Sequence, residues 1–136
     1  MRAVLLLIVF LAIPVRAWAS PQTLTFEKVI DGATIVASGK TVSLWGLKAL
    51  DPAEPASFAA NLYLETMLRK GVLSCDETGA QGARHVMHCY SDGADVGSLM
   101  VQMGLARAAD PYYRAEEGYA KAQHRGIWRP RRGTPL

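Results

Sequence analysis

The sequence predicts a single α+β domain whose elements run three strands, a helix, two strands and two helices. Three observations carry that reading. β-Branched residues mixed with charged ones across residues 23–47 are broken by one tight turn. Apolar residues recur at helical spacing across residues 56–69. Two later stretches start at capping residues and stop at glycines.

Taken in order, residues 23–30 mix Thr, Leu, Phe, Val and Ile with Glu27 and Lys28, the composition of a half-exposed strand. Residues 34–37 and 41–47 flank Ser38-Gly39-Lys40 and read as a hairpin with glycine at the turn. Asp51-Pro52-Ala53-Glu54-Pro55 breaks regular structure. The first helix places Phe58, Leu62, Leu64, Met67 and Leu68 at recurring positions and stops at Gly71. Residues 72–76 and 84–90 read as strands, with Glu77-Thr78-Gly79-Ala80-Gln81-Gly82 as the turn between them and Asp92-Gly93 as the next turn. Asp95 caps a second helix with Val96, Leu99, Met100 and Met103 on one face and Gly104 at its end. Asp110-Pro111 opens a third helix that runs to Arg125 and stops at Gly126. Acids near its start and bases near its end suit the helix dipole.

The chain has 136 residues and reads as three parts: residues 1–19, a domain over 20–130 and a flexible basic tail over 131–136. Met1-Arg2 is a short basic start, residues 3–15 are almost unbroken apolar, and Ala17-Trp18-Ala19 supplies the small residues that a signal peptidase reads. Such a run is shorter than the roughly 20 residues that span a bilayer. Export with cleavage after Ala19, to the periplasm or beyond, is the expectation; an uncleaved anchor is the alternative. What remains suffices for one domain and one core, and a monomer with no transmembrane span is expected.

Losing Arg2 and Arg16 changes the charge account. The full chain carries +3, but residues beyond the leader hold 13 basic and 12 acidic side chains. Residues 121–132 hold five basic side chains and no acid, whereas residues 21–120 hold eight basic and twelve acidic. A pI near 9.0 therefore comes from the leader and the tail, and does not describe a basic binding face. The two cysteines, Cys75 and Cys89, form an even count in an exported chain, which favours a disulfide between adjacent antiparallel strands over two buried thiols.

Asp31-Gly32-Ala33-Thr34 followed by Val42-Ser43-Leu44-Trp45-Gly46-Leu47-Lys48-Ala49 resembles the signature of staphylococcal nuclease-like (thermonuclease) domains, roughly Asp-Gly-Asp-Thr and then Val-Arg-Leu-x-Gly-Ile-Asp-Ala-Pro-Glu. Further matching pieces are Asp92-Gly93-Ala94-Asp95-Val96, Leu99-Met100-Val101, Gly104-Leu105-Ala106, the spaced Tyr113, Glu117 and Ala120, and Gly126-Ile127-Trp128. The resemblance covers nearly the whole chain beyond the leader. It implies a five-stranded OB-fold barrel with three helices.

Active members of that family bind calcium through Asp carboxylates, orient water with a Glu and clamp the phosphate with two Arg side chains. Such a site suits hard-oxygen coordination, general-base work and stabilisation of developing charge. By resemblance, Asp31 keeps the first metal-binding Asp and Arg84 matches the second Arg, though its context is Gly82-Ala83-Arg84 where Tyr-Gly-Arg is usual. The remaining positions have changed. Ala33 offers no metal ligand, Ser43 no bidentate clamp, and Lys48 places an ammonium where a carboxylate belongs; Leu50-Asp51 replaces Pro-Glu. In a shifted register of this loop, Asp51 becomes the ligand and Glu54 the base.

The expectation is thus a catalytically impaired or inactive pseudonuclease acting as an interaction module, with no cofactor. Weak binding of nucleic acid or another anionic ligand, or of an unknown protein, is expected. The alternative is a weak Ca²⁺-dependent secreted nuclease using Asp31, Asp51 or Glu54, and Arg84. Lys48 raises a separate expectation, an ammonium held between Asp31 and Asp51 in place of the ion; an unpartnered surface Lys is the other reading. His85, His88 and His124 lack metal-ligand spacing. Trp45, Tyr90 and Trp128 read as core or rim aromatics, and Tyr112-Tyr113 as packing at the start of the third helix.

Overall fold

The computed structural model describes residues 20–133; residues 1–19, where a signal peptide is expected, and the last three residues of the chain lie outside them. The domain is α+β, with three α-helices against a curled, barrel-like mixed sheet. The strands are β1 (Gln22–Leu24), β2 (Phe26–Asp31), β3 (Thr34–Ala37), β4 (Lys40–Leu44), β5 (Leu47–Lys48), β6 (Leu73–Gln81), β7 (Arg84–Ser91), β8 (Ala94–Asp95) and β9 (Arg107–Ala108). The helices are α1 (Ala56–Lys70), α2 (Val96–Gln102) and α3 (Arg114–Ala122), with 3-10 turns at Pro111–Tyr113 and Gly126–Trp128.

The first predicted strand is divided at Thr25. β1 pairs antiparallel with β6, while β2 pairs antiparallel with β3. The main sheet runs β1-β6-β7-β4-β3-β2, so its two outer strands are consecutive pieces of chain and the sheet must curl. Thr25 is fixed at the bend by the β3–β4 turn: its amide donates to Ser38 Oγ (2.8 Å) and its carbonyl accepts from the Ser38 amide (2.8 Å). Ser38 and Gly39 have φ of 48° and 71°, the left-handed pair that a two-residue hairpin needs. β4 and β7 pair in parallel, Ser43 lying opposite Val86.

The β6–β7 hairpin is longer than its sequence predicts. β6 continues through Gln81 and the chain reverses at Gly82-Ala83, with Gly82 at φ 59°. Polar cross-strand pairs sustain the extension: His85 Nδ1 lies 2.7 Å from Glu77 Oε1, and Thr78 Oγ1 donates to the Val86 carbonyl. Cys75 and Cys89 stand directly opposite each other in this ladder and are disulfide-bonded.

Helix α1 buries Ala60, Leu64 and Leu68 at four-residue intervals, which seats one stripe on the core beside Ile35, Val42, Leu73 and Met87. Asp95 caps α2, accepting from the Ser98 amide at 3.1 Å. The third helix begins as the 3-10 turn at Pro111–Tyr113 and its α portion ends at Ala122, short of the predicted Arg125. The reason is tertiary. Gly104 (φ 68°) and Gly126 (φ 54°) lie back to back: a Cβ on Gly126 would collide with the Gly104 carbonyl, and one on Gly104 with the Arg125 carbonyl. The Ile127 amide donates to the Gly104 carbonyl at 3.0 Å, so the chain leaves α3 early to dock on the end of α2. Among the described residues, no helix is long and apolar enough to cross a membrane.

Candidate functional site

A cleft of about 400 Å³ opens where the β2–β3 turn, the end of β4 and the start of β7 meet. Sheet register explains the convergence. Thr34 is paired with Ser43 across β3–β4, and Ser43 with Val86 across β4–β7. Residues distant in sequence thereby reach one rim: Asp31, Ala33, Ser43, Gln81 and Arg84 all line the cleft. Asp110 closes it from the loop before α3. Sequence reasoning missed Asp110 as a cleft residue, because its role as a cap gave a sufficient local reason for it.

The cleft's carboxylates are turned to the backbone. Asp31 Oδ1 accepts from the Ala33 amide at 2.9 Å and Asp110 Oδ1 from the Tyr112 amide at 2.8 Å. Ala33 is buried, filling the position with a methyl group where the resemblance expects a second ligand. Ser43 is half-buried and offers one hydroxyl; Arg84 is exposed and, among the described residues, pairs with no carboxylate. Beside the two carboxylates, the donors of the lining are the Arg84 guanidinium, the Thr34 and Ser43 hydroxyls and the Gln81 amide.

The other candidates lie elsewhere. Lys48, Asp51 and Glu54 do not line this cleft. Lys48 is exposed on β5, opposite Arg107 of β9, and among the described residues forms no ion pair. The expected clasp of Lys48 between Asp31 and Asp51 is therefore corrected: the two-stranded β5–β9 ladder turns the ammonium to solvent. Asp51 Oδ1 accepts from the Ala53 amide at 2.8 Å, folding the loop onto itself.

Glu54 is gripped from two sides. Arg107 Nη2 donates to Oε1 at 2.7 Å, Arg107 Nη1 donates to Oε2 at 3.1 Å, and the Asp51 amide also donates to Oε2 at 2.7 Å. The Arg107 fork, helped by that amide, lowers the carboxyl to about 2. A base so strongly held is a poor proton acceptor. Arg107 itself was not legible as functional, since its sequence neighbours Ala106 and Ala108 give no sign of a partner fifty-three residues away. Of the three catalytic candidates, Asp51 and Glu54 are thus joined in one loop, while Arg84 lines the cleft without them.

Beside the cleft stands a block of aromatic side chains. Trp45, which lines the cleft, has its ring centroid 5.1 Å from His88 and 5.4 Å from Tyr112. Beneath them, Asp95 Oδ2 lies 2.8 Å from His88 Nε2, and the fully buried Tyr113 donates its hydroxyl to Asp95 Oδ1 at 2.8 Å. Burial, then the Asp95 contact, pushes the Tyr113 phenol above its ordinary range. Tyr113 is a core residue, whereas Tyr112 is 59% exposed and meets Trp45 edge-on.

Calcium takes six to eight oxygen ligands, several from carboxylates. The cleft offers Asp31 and Asp110, each already bonded to an amide, and among the described residues no three His, Cys, Asp or Glu side chains cluster so as to hold a metal ion. The residues present do not fit the ion. No family model matches the chain, and no curated protein matches it.

Proposed function

We propose that the chain is an exported staphylococcal nuclease-like OB-fold domain that has lost hydrolysis and uses the old cleft to bind an anionic ligand. The carrying observation is the split of the candidate machinery: Arg84 and Asp31 share the cleft with Ala33 and Ser43, while Glu54 is bound to Arg107 outside it. The curled sheet with three helices is compatible with the barrel and helices that the resemblance implies, and supports the fold part. The leader sequence and the Cys75–Cys89 disulfide support export.

Hydrolysis of a phosphodiester needs charge stabilisation at the phosphate, and loss of one such donor typically costs about 10²–10³ in rate. The Ser43 position lacks that donor, and Ala33 lacks a ligand. Arg84 can still form charge-assisted hydrogen bonds to a phosphate or carboxylate, and Trp45 with Tyr112 supplies an adjoining aromatic face.

The test is hydrolysis and binding of a labelled single-stranded DNA oligonucleotide, with and without Ca²⁺. Expected are no turnover, weak binding that falls with salt, and a loss of affinity of about tenfold in Arg84→Ala, the scale of one charge-assisted contact. Ca²⁺-dependent turnover abolished by Arg84→Ala would overturn the reading in favour of a weak nuclease.

A further inference from the structure

A second concavity, larger than the cleft at about 740 Å³, shares no lining residue with it. One wall is α1, through Ala56, Ala59 and Tyr63; the floor is Leu105 and Ile127; the opposite wall is the segment after α3. That segment is held in place by the Gly104–Gly126 contact and by Trp128, whose ring lies 4.5 Å from Lys121 Nζ. The groove is therefore a built feature of the fold, continuous with the exposed outer face of α1. There Phe58 is 78% and Leu62 53% exposed, each one residue before a groove-lining position. Apolar residues at this spacing on an exposed helix have no function in the core.

Three cations and one acid, Glu54, line it. Arg125, Arg129 and Arg131 line the groove, and among the described residues none of them pairs with a carboxylate. Arg125 instead donates to Met103 Sδ (3.4 Å) and the Tyr119 hydroxyl (3.3 Å). Glu54, at the rim, is occupied by Arg107. This basic wall belongs to a segment of five cations and no acids on a body with four more acids than bases.

We infer that this groove docks an acidic, amphipathic peptide segment of a partner protein. The partner's apolar side chains lie on the α1 wall and floor, and its carboxylates meet the Arg125, Arg129 and Arg131 guanidinium groups. Charge complementarity selects this occupant. A helical or extended peptide supplies both chemistries on one face, with apolar anchors in the groove and acids at its rim. A nucleic acid would need a run of planar faces for its bases, and the lining residues supply two aromatic rings, Tyr63 and His124, from opposite walls. The chain's own leader carries Arg2 and Arg16 and no acid, so it lacks the matching charge.

The experiment pans a random peptide-display library against the full chain, disulfide intact, and measures the selected peptides by fluorescence anisotropy. Enriched sequences are expected to combine Asp or Glu with large apolar residues. Their affinity is expected to fall about tenfold or more in the double variant Arg129→Glu/Arg131→Glu. Both arginines are exposed, so the fold survives the change. A comparable loss is expected in Ala59→Gln, which places uncharged bulk on the exposed groove wall; unchanged melting temperatures identify both effects as binding effects. Selection of peptides without acids, affinity indifferent to both variants, or no enrichment overturns the inference. Capture of phosphatidylglycerol vesicles or a DNA oligonucleotide through the same arginines, without peptide binding, overturns it as well and reassigns the face. So does concentration-dependent self-association lost in the same variants.

Discussion

Reduction of the Cys75–Cys89 bridge is expected to lower stability by about 3 kcal/mol. The bridge closes a loop with a sequence separation of 14. In the chain-entropy model such a loop loses roughly 10 cal/mol/K on closure, about 3 kcal/mol at 25 °C, all of it charged to the unfolded state. For a domain of this size that corresponds to roughly 10–15 °C in melting temperature. Both cysteines are at most 2% exposed, so Cys75→Ala/Cys89→Ala should lose roughly a further 1–2 kcal/mol for the sulfur volume removed from the core. The assay is thermal and urea unfolding followed by circular dichroism, for oxidised protein, protein reduced with a phosphine, and the double variant. The difference between the last two isolates packing from chain entropy. A reduced protein melting within about 2 °C of the oxidised one would refute the reasoning, because the hairpin would then already restrict the unfolded ensemble. Two titratable thiols in the unreduced, denatured protein would refute the bridge itself.

Two other perturbations follow from the polar contacts. Glu54 has its pKa lowered from 4.5 to about 2 by Arg107; a depressed carboxylate stabilises fully above its unfolded value and loses that contribution as pH falls toward the folded one. The stability gap between wild type and Glu54→Gln should therefore be constant above about pH 5 and close between about pH 4.5 and 2, read from urea midpoints; a gap independent of pH would contradict the Arg107 assignment. Tyr113→Phe removes the hydroxyl that donates to Asp95 and should cost about 1–3 kcal/mol, since Asp95 loses a donor in a half-buried site; urea unfolding measures it, and a neutral substitution would show the network to be dispensable.

Local signals in the sequence account for much of the architecture. Asp95 reads as a cap, and it caps α2. The Ser38-Gly39 turn and the pairing of the two cysteines are equally legible, and apolar spacing marks α1, although its buried stripe is Ala60, Leu64 and Leu68 while Phe58 and Leu62 of the expected set are exposed. Each rests on chemistry within a few residues, or on there being just two cysteines to pair. The errors share a cause. The β6–β7 hairpin runs past its predicted end because cross-strand partners, Glu77 with His85 and Thr78 with Val86, outweigh weak strand propensity at Gly79 and Ala80. α3 ends early because Gly126 must meet Gly104.

The candidate site divides the same way. Sequence alone determined which chemical groups exist: one Asp and one Arg kept at the motif positions, and Ala33, Ser43 and Lys48 where the resembled family carries ligands and a clamp. It determined also that the basic charge gathers near the C-terminal end. Tertiary structure decided which of these groups meet. A parallel β4–β7 pairing carries Arg84 to the cleft that Asp31 also lines; a bidentate contact takes Glu54 to Arg107; and the docking of Gly126 on Gly104 sets the basic segment across from α1. Residue identity is written locally, but a charge acquires its partner only through register and packing between segments far apart in the chain, and no local pattern encodes that distance.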